Sequence, residues 1–159
     1  MSSSTASSLL SRWRSGPPFF EQLVIQLLVA MGYGGGTKGT GLRLGASGDG
    51  GVDGVIQLDT LGMDRVYIQA KCYARDRTIG AGDVRDFSGA LDHVRTTRGV
   101  FITTAQFTQD ANRYVESIQK QIVLIDGKRL AELMIRHGVG VRIDRTVTIK
   151  RLDEDFFEE

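Results

Sequence analysis

The chain has 159 residues, of which 41% are hydrophobic and 25% are charged, so it is long enough for one domain with a buried core. No apolar run approaches the roughly 20 residues of a membrane-spanning helix, and the single cysteine, Cys72, cannot form an internal disulfide. These features exclude a membrane-embedded protein and a disulfide-stapled secreted domain, and they predict a cytoplasmic setting.

The net charge of +1 is unevenly distributed along the chain. The last seven residues, DEDFFEE, hold five of the 19 acidic residues, which leaves 14 acidic against 20 basic residues elsewhere. That basic excess is consistent with a phosphate-binding surface. A solvated surface followed by an acidic tail accounts for the same count.

The chain opens with a Ser-rich stretch over residues 1–16, which predicts a flexible lead-in to one domain over residues 17–159. The stretch PPFFEQLVIQLLVAMGYGGG then predicts the first helix, because apolar residues recur at helical spacing between prolines and glycines. Three strands are predicted next, in GLRLGAS, GVDGVIQL and RVYIQAKCY, and the turn DTLGMD joins the last two.

The second half of the chain alternates predicted helices and strands. In order they are the helix AGDVRDFSGALDHVRTT, the strand RGVFITTA, the helix TQDANRYVESIQKQ, the strand IVLID and the helix GKRLAELMIRHG. Thr108 is the predicted N-cap of the middle helix. The last stretch, VRIDRTVTIKRL, predicts a final strand pair or edge strand, and the whole order indicates an α/β fold.

Three polar residues lie on the two predicted strands around DTLGMD. Alternate residues of a strand face opposite sides, so Gln69 and Lys71 share one face. A turn centred on Leu61 or Gly62 places Asp53 opposite either Gln69 or Lys71. In both registers the three side chains converge, because cross-strand partners point to the same face.

A carboxylate, an amide and an ammonium group on one sheet face predict metal-assisted hydrolysis of phosphodiesters. Asp53 offers a hard oxygen to a divalent cation such as Mg²⁺, and Gln69 offers a neutral one. Lys71 can hold or deprotonate the attacking water, or stabilise charge that builds on the phosphate. Glu21 is a further candidate, because an acid on the apolar face of the first helix is costly unless it is paired or faces a polar site.

Each of these residues also has a purely structural interpretation. Asp53 can close a Gly-rich turn, Lys71 can extend along a sheet edge, and Glu21 can be a first-turn acid favoured by the helix dipole. Thr103 and Thr104 end a strand, where they can bind a phosphate or simply pack, and they are left outside the predicted site.

The stretch GVDG with QAK downstream, behind a helix that contains FFEQL, resembles the PD-(D/E)xK nuclease superfamily and specifically the catalytic domain of Mrr-like restriction endonucleases. The stretches FSGAL, GVFITTAQFT, IVLIDGKRLAELM and DFFEE extend the resemblance over residues 17–159. It implies a restriction-endonuclease-like central mixed β-sheet flanked by helices, and Mg²⁺-dependent cleavage of double-stranded, methylated DNA, with Mn²⁺ as a substitute ion.

The resemblance also implies a role for each of the four candidate residues, all of which it makes catalytic. Asp53 is the metal ligand, and Gln69 is a second ligand in the place of the superfamily's usual acid. Lys71 is the catalytic lysine, and Glu21 is the supporting acid on the helix. Because Gln69 is neutral, the metal affinity is expected to depend mainly on Asp53 and Glu21.

Four basic residues next to the predicted site are expected to contact DNA phosphates: Lys38, Arg43, Arg75 and Arg77. Mrr-like proteins usually carry a winged-helix DNA-binding domain, which residues 1–16 are too short to form, so a separate domain is expected to recognise the modified base. A double-strand cut needs two active sites and predicts a homodimer. The alternatives are a nucleic-acid-binding module that keeps the nuclease fold without cleavage, and an interaction domain whose polar trio is an ordinary surface cluster.

Overall fold

The protein structure is a computed structural model that describes residues 17–33, 42–44, 53–74 and 76–157, with the backbone alone at residues 17, 18, 42–44 and 157. The predicted lead-in over residues 1–16 lies outside these ranges. In the described ranges the helices are α1 (Pro17–Ala30), α2 (Ala81–His93), α3 (Gln109–Ser117) and α4 (Gly127–Arg136), with a short 3-10 helix at Glu154–Phe157. The strands are β1 (Leu42–Leu44), β2 (Gly54–Gln57), β3 (Arg65–Lys71), β4 (Thr78–Ile79), β5 (Arg98–Thr103), β6 (Gln106–Phe107) and β7 (Gln121–Ile125). None of these helices is both long enough and apolar enough to cross a membrane.

Five of the strands form one mixed sheet in the order β1-β2-β3-β5-β7. β1, β2 and β3 are antiparallel to one another, whereas β5 is parallel to both β3 and β7. A helix crosses over before β5 and another before β7, as the connection of parallel strands requires. The predicted α/β fold with a central mixed sheet is therefore confirmed.

The hairpin of β2 and β3 adopts one of the two registers predicted from the sequence. Gly54 pairs with Ile68, so this register places Asp53, the residue before Gly54, opposite Gln69. The predicted strands and the turn between them are confirmed. The position of Asp53 on the sheet is thus set by the hairpin turn.

The hairpin turn is closed by hydrogen bonds and by a glycine in the left-handed conformation. The Asp64 amide donates to Asp59 Oδ1 at 3.1 Å, and the Leu58 amide donates to the Asp64 carbonyl at 2.8 Å. Gly62 has a φ of 69°, a backbone conformation that residues with a Cβ rarely adopt. This turn fixes the register on which the candidate site depends.

Different helices cover the two faces of the sheet, and each face has its own hydrophobic cluster. α1 and α4 pack on the first face, and α2 and α3 pack on the second. The first cluster consists of Phe20, Leu23, Val24, Leu27, Leu28, Ile56, Ile68, Ile102, Ile125, Leu130, Leu133, Met134 and Val139. The second consists of Ile79, Val84, Phe87, Leu91, Phe101, Ala105, Ala111 and Ile122.

The alternation along β3 assigns the candidate residues to the second face. Ile68 belongs to the first cluster, whereas Tyr67 packs against the second. Gln69 and Lys71 alternate with Ile68 and therefore share the face of Tyr67. On this face Gly99 allows α2 to approach the sheet closely, because a Cβ at that position would lie 2.7 Å from the Phe87 ring.

Two helices, α3 and α4, begin at a residue whose side chain caps the first turn. The Thr108 hydroxyl accepts a hydrogen bond from the Ala111 amide at 3.2 Å, so the predicted N-cap is confirmed. Asp126 caps α4 in the same way, because its Oδ1 accepts from the Arg129 amide at 2.8 Å. Such a cap satisfies one of the amides that a helix leaves without a partner at its start.

The predicted strand pair or edge strand in VRIDRTVTIKRL is wrong, because residues 141–153 form neither strand nor helix. Their apolar side chains lie in solvent: Ile143, Val147 and Ile149 are 85%, 74% and 90% exposed. Alternating apolar and polar residues indicate how a segment would pair, but a strand also needs a neighbouring edge. No described strand pairs with this segment.

A second sheet, which the sequence did not predict, lies beside the end of β5. It consists of β4 and β6, which pair in parallel through two residues each. A two-residue strand is too short to show the alternation on which prediction relies. Phe107 of β6 packs edge-on against Phe101, with ring centroids 5.3 Å apart. This small sheet therefore anchors the segment that follows Lys71.

Candidate active site

Asp53 lies immediately before β2 and is held against β3 by two hydrogen bonds. Its amide donates to the Ile68 carbonyl at 2.8 Å, and its Oδ2 accepts from the Ala70 amide at 2.7 Å. The carboxylate thus serves as the ladder acceptor for Ala70, whose chain neighbours are Gln69 and Lys71. The other oxygen, Oδ1, makes no hydrogen bond or ion pair with a described residue.

Gln69 is a buried polar residue, with 6% of its surface exposed, on the second face of the sheet. Its Oε1 is fully buried and has no hydrogen-bond partner among the described residues. An unpaired buried acceptor costs about 1–3 kcal/mol, so native proteins rarely keep one without a use. A cation or an ordered water bound at Oε1 would remove that cost.

Lys71 is the last residue of β3 and is partly exposed. Its carbonyl accepts hydrogen bonds from the Thr103 hydroxyl at 2.8 Å and from the Thr104 amide at 3.3 Å. Its ammonium group forms no ion pair within the described ranges, in contrast to Lys120, which binds Asp92 at 2.7 Å. The backbone of Lys71 is therefore fixed, while its charge is available to a ligand.

The donor atoms around Asp53 fit a hard divalent cation. No group of three His, Cys, Asp or Glu side chains able to hold a metal occurs among the described residues. The candidate ligands are instead single oxygens: Asp53 Oδ1, and Gln69 Oε1, which is buried without a hydrogen-bond partner among the described residues. Mg²⁺ keeps several of its waters and is commonly held by one or two protein oxygens, so this donor set suits it better than it suits a metal that needs a full protein cage.

Glu21 lies on α1 and not on the hairpin that carries these three residues. It is partly buried on α1, and the buried residues of α1 pack on the first face of the sheet, opposite the face of Gln69 and Lys71. No hydrogen bond or ion pair joins Glu21 to Asp53 or Lys71 in the described part of the chain. Its supporting role stays a prediction.

The four predicted phosphate contacts differ in what is described of them. Lys38 and Arg75 lie outside the described residues. Arg43 lies in β1, where its backbone pairs with Val55. Arg77 is exposed, and its guanidinium lies 3.9 Å from the centre of the Tyr73 ring, close to the end of β3. Their contacts with DNA stay predictions.

Two residues that sequence reasoning left outside the site are bonded directly to its backbone. Thr103 and Thr104 are buried, at 0% and 4% exposure, and their hydroxyls bind the carbonyls of Lys71 and Tyr73. The available signal was the pair of adjacent threonines at the end of a strand. Its meaning required knowing that this strand lies next to the strand of Lys71.

A mixed sheet flanked by helices, with an Asp at the start of one hairpin strand and Gln-x-Lys at the end of the other, defines the restriction-endonuclease-like class. The family model Mrr_cat, described as "Restriction endonuclease", matches residues 14–134. The chain therefore belongs to the Mrr-type restriction endonuclease family.

A relative of known name agrees with this assignment. The chain is 44% identical to the type IV methyl-directed restriction enzyme EcoKMrr of Escherichia coli strain K12 over 142 residues. The match covers 89% of this chain and 45% of that enzyme. The chain thus spans less than half the length of this relative.

Solved structures show the same fold. The restriction endonuclease MspJI, in complex with a 27-mer oligonucleotide, is 26% identical with a TM-score of 0.60 over 84% of this chain and 31% of its own. The DNA modification-dependent restriction endonuclease AspBHI is 21% identical, with a TM-score of 0.65 over 87% of this chain and 37% of its own. The restriction-endonuclease-like fold is therefore confirmed.

Proposed function

We propose that this chain is the catalytic domain of a modification-dependent DNA endonuclease, which hydrolyses phosphodiester bonds of methylated double-stranded DNA with Mg²⁺. The observation that carries the proposal is the arrangement around the Ala70 amide. Asp53 Oδ2 accepts its hydrogen bond at 2.7 Å, and Gln69 and Lys71 are its chain neighbours. Further support comes from the identity with EcoKMrr, a methyl-directed restriction enzyme by name.

Asp53 and Gln69 would hold the cation through Asp53 Oδ1 and Gln69 Oε1, and the latter is buried without a hydrogen-bond partner among the described residues. A bound Mg²⁺, or Mn²⁺ in its place, supplies positive charge to the phosphate oxygens and makes a water more acidic. The Ala70 amide would keep the Asp53 carboxylate in one orientation. The hydrogen bond is short, at 2.7 Å, and its donor is held in place by the sheet.

Lys71 acts at the same phosphate group in this proposal. Its ammonium group donates hydrogen bonds to the attacking water or to a phosphate oxygen, and its charge stabilises the negative charge that develops in the transition state. The partly exposed side chain has no competing carboxylate partner among the described residues, so its charge is not neutralised by an ion pair before DNA binds.

Recognition and assembly extend the proposal beyond this chain. EcoKMrr is more than twice as long as the region that matches, which supports a separate winged-helix domain as the reader of the modified base. Two copies of the catalytic domain would cut the two strands of one duplex. A cytoplasmic setting suits an enzyme that acts on DNA and carries a single cysteine.

The test of this function is the cleavage of methylated and unmethylated supercoiled plasmid by the purified chain. We expect nicking or linearisation with Mg²⁺ or Mn²⁺ and none with EDTA. A preference for methylated plasmid would place base recognition within this chain. Binding of DNA that weakens with salt, without any metal-dependent cutting, would support the non-catalytic binding module instead.

The alternative of a binding module is favoured by one observation, the neutral Gln69 in a site with no group of three acidic or other metal-binding side chains among the described residues. A fusion of a winged-helix DNA-binding domain to this chain, tested on plasmid DNA, distinguishes the two functions. A fusion that cuts DNA supports the nuclease, and a fusion that only binds it supports the module.

Changing Gln69 to glutamate is expected to tighten Mn²⁺ binding roughly tenfold, because a second carboxylate raises the charge of the ligand set. Without metal, the same variant is expected to unfold at a lower temperature than wild type, because burying an unpaired carboxylate is costly. Calorimetric titration with Mn²⁺ and thermal unfolding with and without Mn²⁺ measure the two effects.

The matched control is Gln119→Glu, which makes the same change at an exposed position outside the site. Its Mn²⁺ affinity is expected to equal that of wild type. An unchanged affinity in Gln69→Glu as well would show that Oε1 of Gln69 does not face the metal.

A further inference from the structure

We infer that Thr103 and Thr104 are positioning residues, which hold Lys71 and Tyr73 in the backbone conformation that cleavage requires. This inference rests on the proposed nuclease function. It concerns two residues whose hydroxyls bind the backbone at Lys71 and Tyr73 and form no hydrogen bond with the proposed metal-binding oxygens.

Thr103 gives Lys71 a second hydrogen bond beyond the sheet ladder. In the backbone pairing, the Thr104 amide donates to the Lys71 carbonyl at 3.3 Å. The Thr103 hydroxyl donates a second, shorter hydrogen bond to the same carbonyl at 2.8 Å. The same hydroxyl accepts from the Ala105 amide at 3.1 Å. Thr103 is 0% exposed, so water does not compete for either bond.

Thr104 binds Tyr73 from both directions. Its hydroxyl accepts from the Tyr73 amide at 2.7 Å and donates to the Tyr73 carbonyl at 2.6 Å. Such a two-way pair replaces the backbone ladder at a point where β3 has already ended at Lys71. The guanidinium of Arg77 lies 3.9 Å from the centre of the Tyr73 ring. Thr104 therefore also fixes the backbone of the residue that Arg77 packs against.

The location of these bonds is what links them to catalysis. The pairing of β3 with β5 ends at Lys71 and Thr103, and a strand end normally frays. The two hydroxyls extend the pairing past the residue whose long side chain must reach the phosphate. A displacement of about 1 Å at a reacting group can cost on the order of a hundredfold in rate, so a fraying backbone at Lys71 would be expensive for catalysis.

The decisive comparison is between Thr103→Val, which keeps the shape and removes the hydroxyl, and Thr103→Ser, which keeps the hydroxyl. We expect Thr103→Val to lower the single-turnover cleavage rate per folded molecule roughly tenfold to a hundredfold, with DNA affinity changed less than about twofold. Thr103→Ser is expected to restore most of the rate.

The control is Thr108→Val, which removes the hydroxyl that caps α3 through the Ala111 amide at 3.2 Å, far along the chain from Lys71. It also loses a side-chain bond to the backbone and some thermal stability, but its cleavage rate per folded molecule is expected to equal that of wild type. If Thr103→Val cuts DNA as fast as Thr108→Val, the positioning role is overturned. Should Thr103→Val not fold, Thr104→Val is measured by the same criterion.

A readout without cleavage separates this inference from the proposed function. In protein labelled with ¹³C at the lysine ε-carbon, the Lys71 signal is expected to shift in Thr103→Val and to keep its position in Thr103→Ser and Thr108→Val. An unshifted signal in Thr103→Val overturns the inference even if the wild-type chain cuts no DNA. A wild-type chain that fails to cut while the signal shifts would contradict only the proposed nuclease activity.

Discussion

Replacing Asp53 with asparagine is expected to lower the rate of DNA cleavage by roughly a thousandfold, because it removes the only charged oxygen proposed to hold the cation. The asparagine carbonyl can still accept the hydrogen bond that the Ala70 amide now donates at 2.7 Å, so the hairpin is expected to keep its structure. Single-turnover cleavage measures the rate, Mn²⁺ titration measures the metal affinity, and DNA binding in EDTA measures whether the folded chain still binds its substrate. Only the DNA binding is expected to persist.

Asp59→Asn is the matched control for this change. Asp59 lies in the turn of the same hairpin, and its Oδ1 accepts from the Asp64 amide at 3.1 Å. The two variants therefore make the same chemical change at two carboxylates with the same kind of backbone contact. Wild-type cleavage by Asp53→Asn in Mg²⁺ would contradict the proposed metal site.

Replacing Lys71 with methionine is expected to slow cleavage by roughly a hundredfold to a thousandfold, while leaving Mn²⁺ binding intact. Methionine keeps most of the apolar stem and loses the charge, so packing on the sheet changes little. One lost phosphate contact should also lower the slope of log affinity against log salt by about one. This pattern differs from that of Asp53→Asn, in which the metal is lost.

Lys128→Met tests whether any lost positive charge has this effect. Lys128 is exposed on α4, which packs on the sheet face opposite to that of Lys71. Its cleavage rate and salt slope are expected to match those of wild type. If Lys71→Met cuts as fast as Lys128→Met, then Lys71 is not the catalytic lysine.

The sequence was most informative about the hairpin that carries the candidate site. Alternation along GVIQ and RVYIQAK, with a glycine turn between them, was sufficient for the strands and for a choice of two registers. The contact between Asp53 and the Ala70 amide was not predictable in the same way. In this contact a side-chain carboxylate accepts the hydrogen bond that a backbone carbonyl of the neighbouring strand would otherwise accept. The spacing of apolar residues carries no information about such a replacement.

Long-range packing accounts for what sequence reasoning got wrong or left incomplete. The segment over residues 141–153 has the alternation of a strand, but its pairing depends on an edge that the described sheet does not offer. Helical spacing correctly put Glu21 beside buried residues of α1. It could not tell that this helix covers the face opposite to Gln69. Thr103 and Thr104 were left outside the predicted site because their hydrogen bonds to Lys71 and Tyr73 depend on β5 lying beside β3.

The three proposed catalytic residues come from one hairpin, and this has a consequence for how the chain folds. Asp53 and Ala70 are 17 residues apart, whereas Lys71 and Thr103 are 32 apart and are joined only after a helical crossover. Short loops close sooner and at a lower entropic cost than long ones. The chemical groups should therefore meet in an early, local folding step, and their alignment should be completed in a later one. A partly folded chain would then bring Asp53 next to Gln69 and Lys71 before Thr103 fixes the Lys71 backbone.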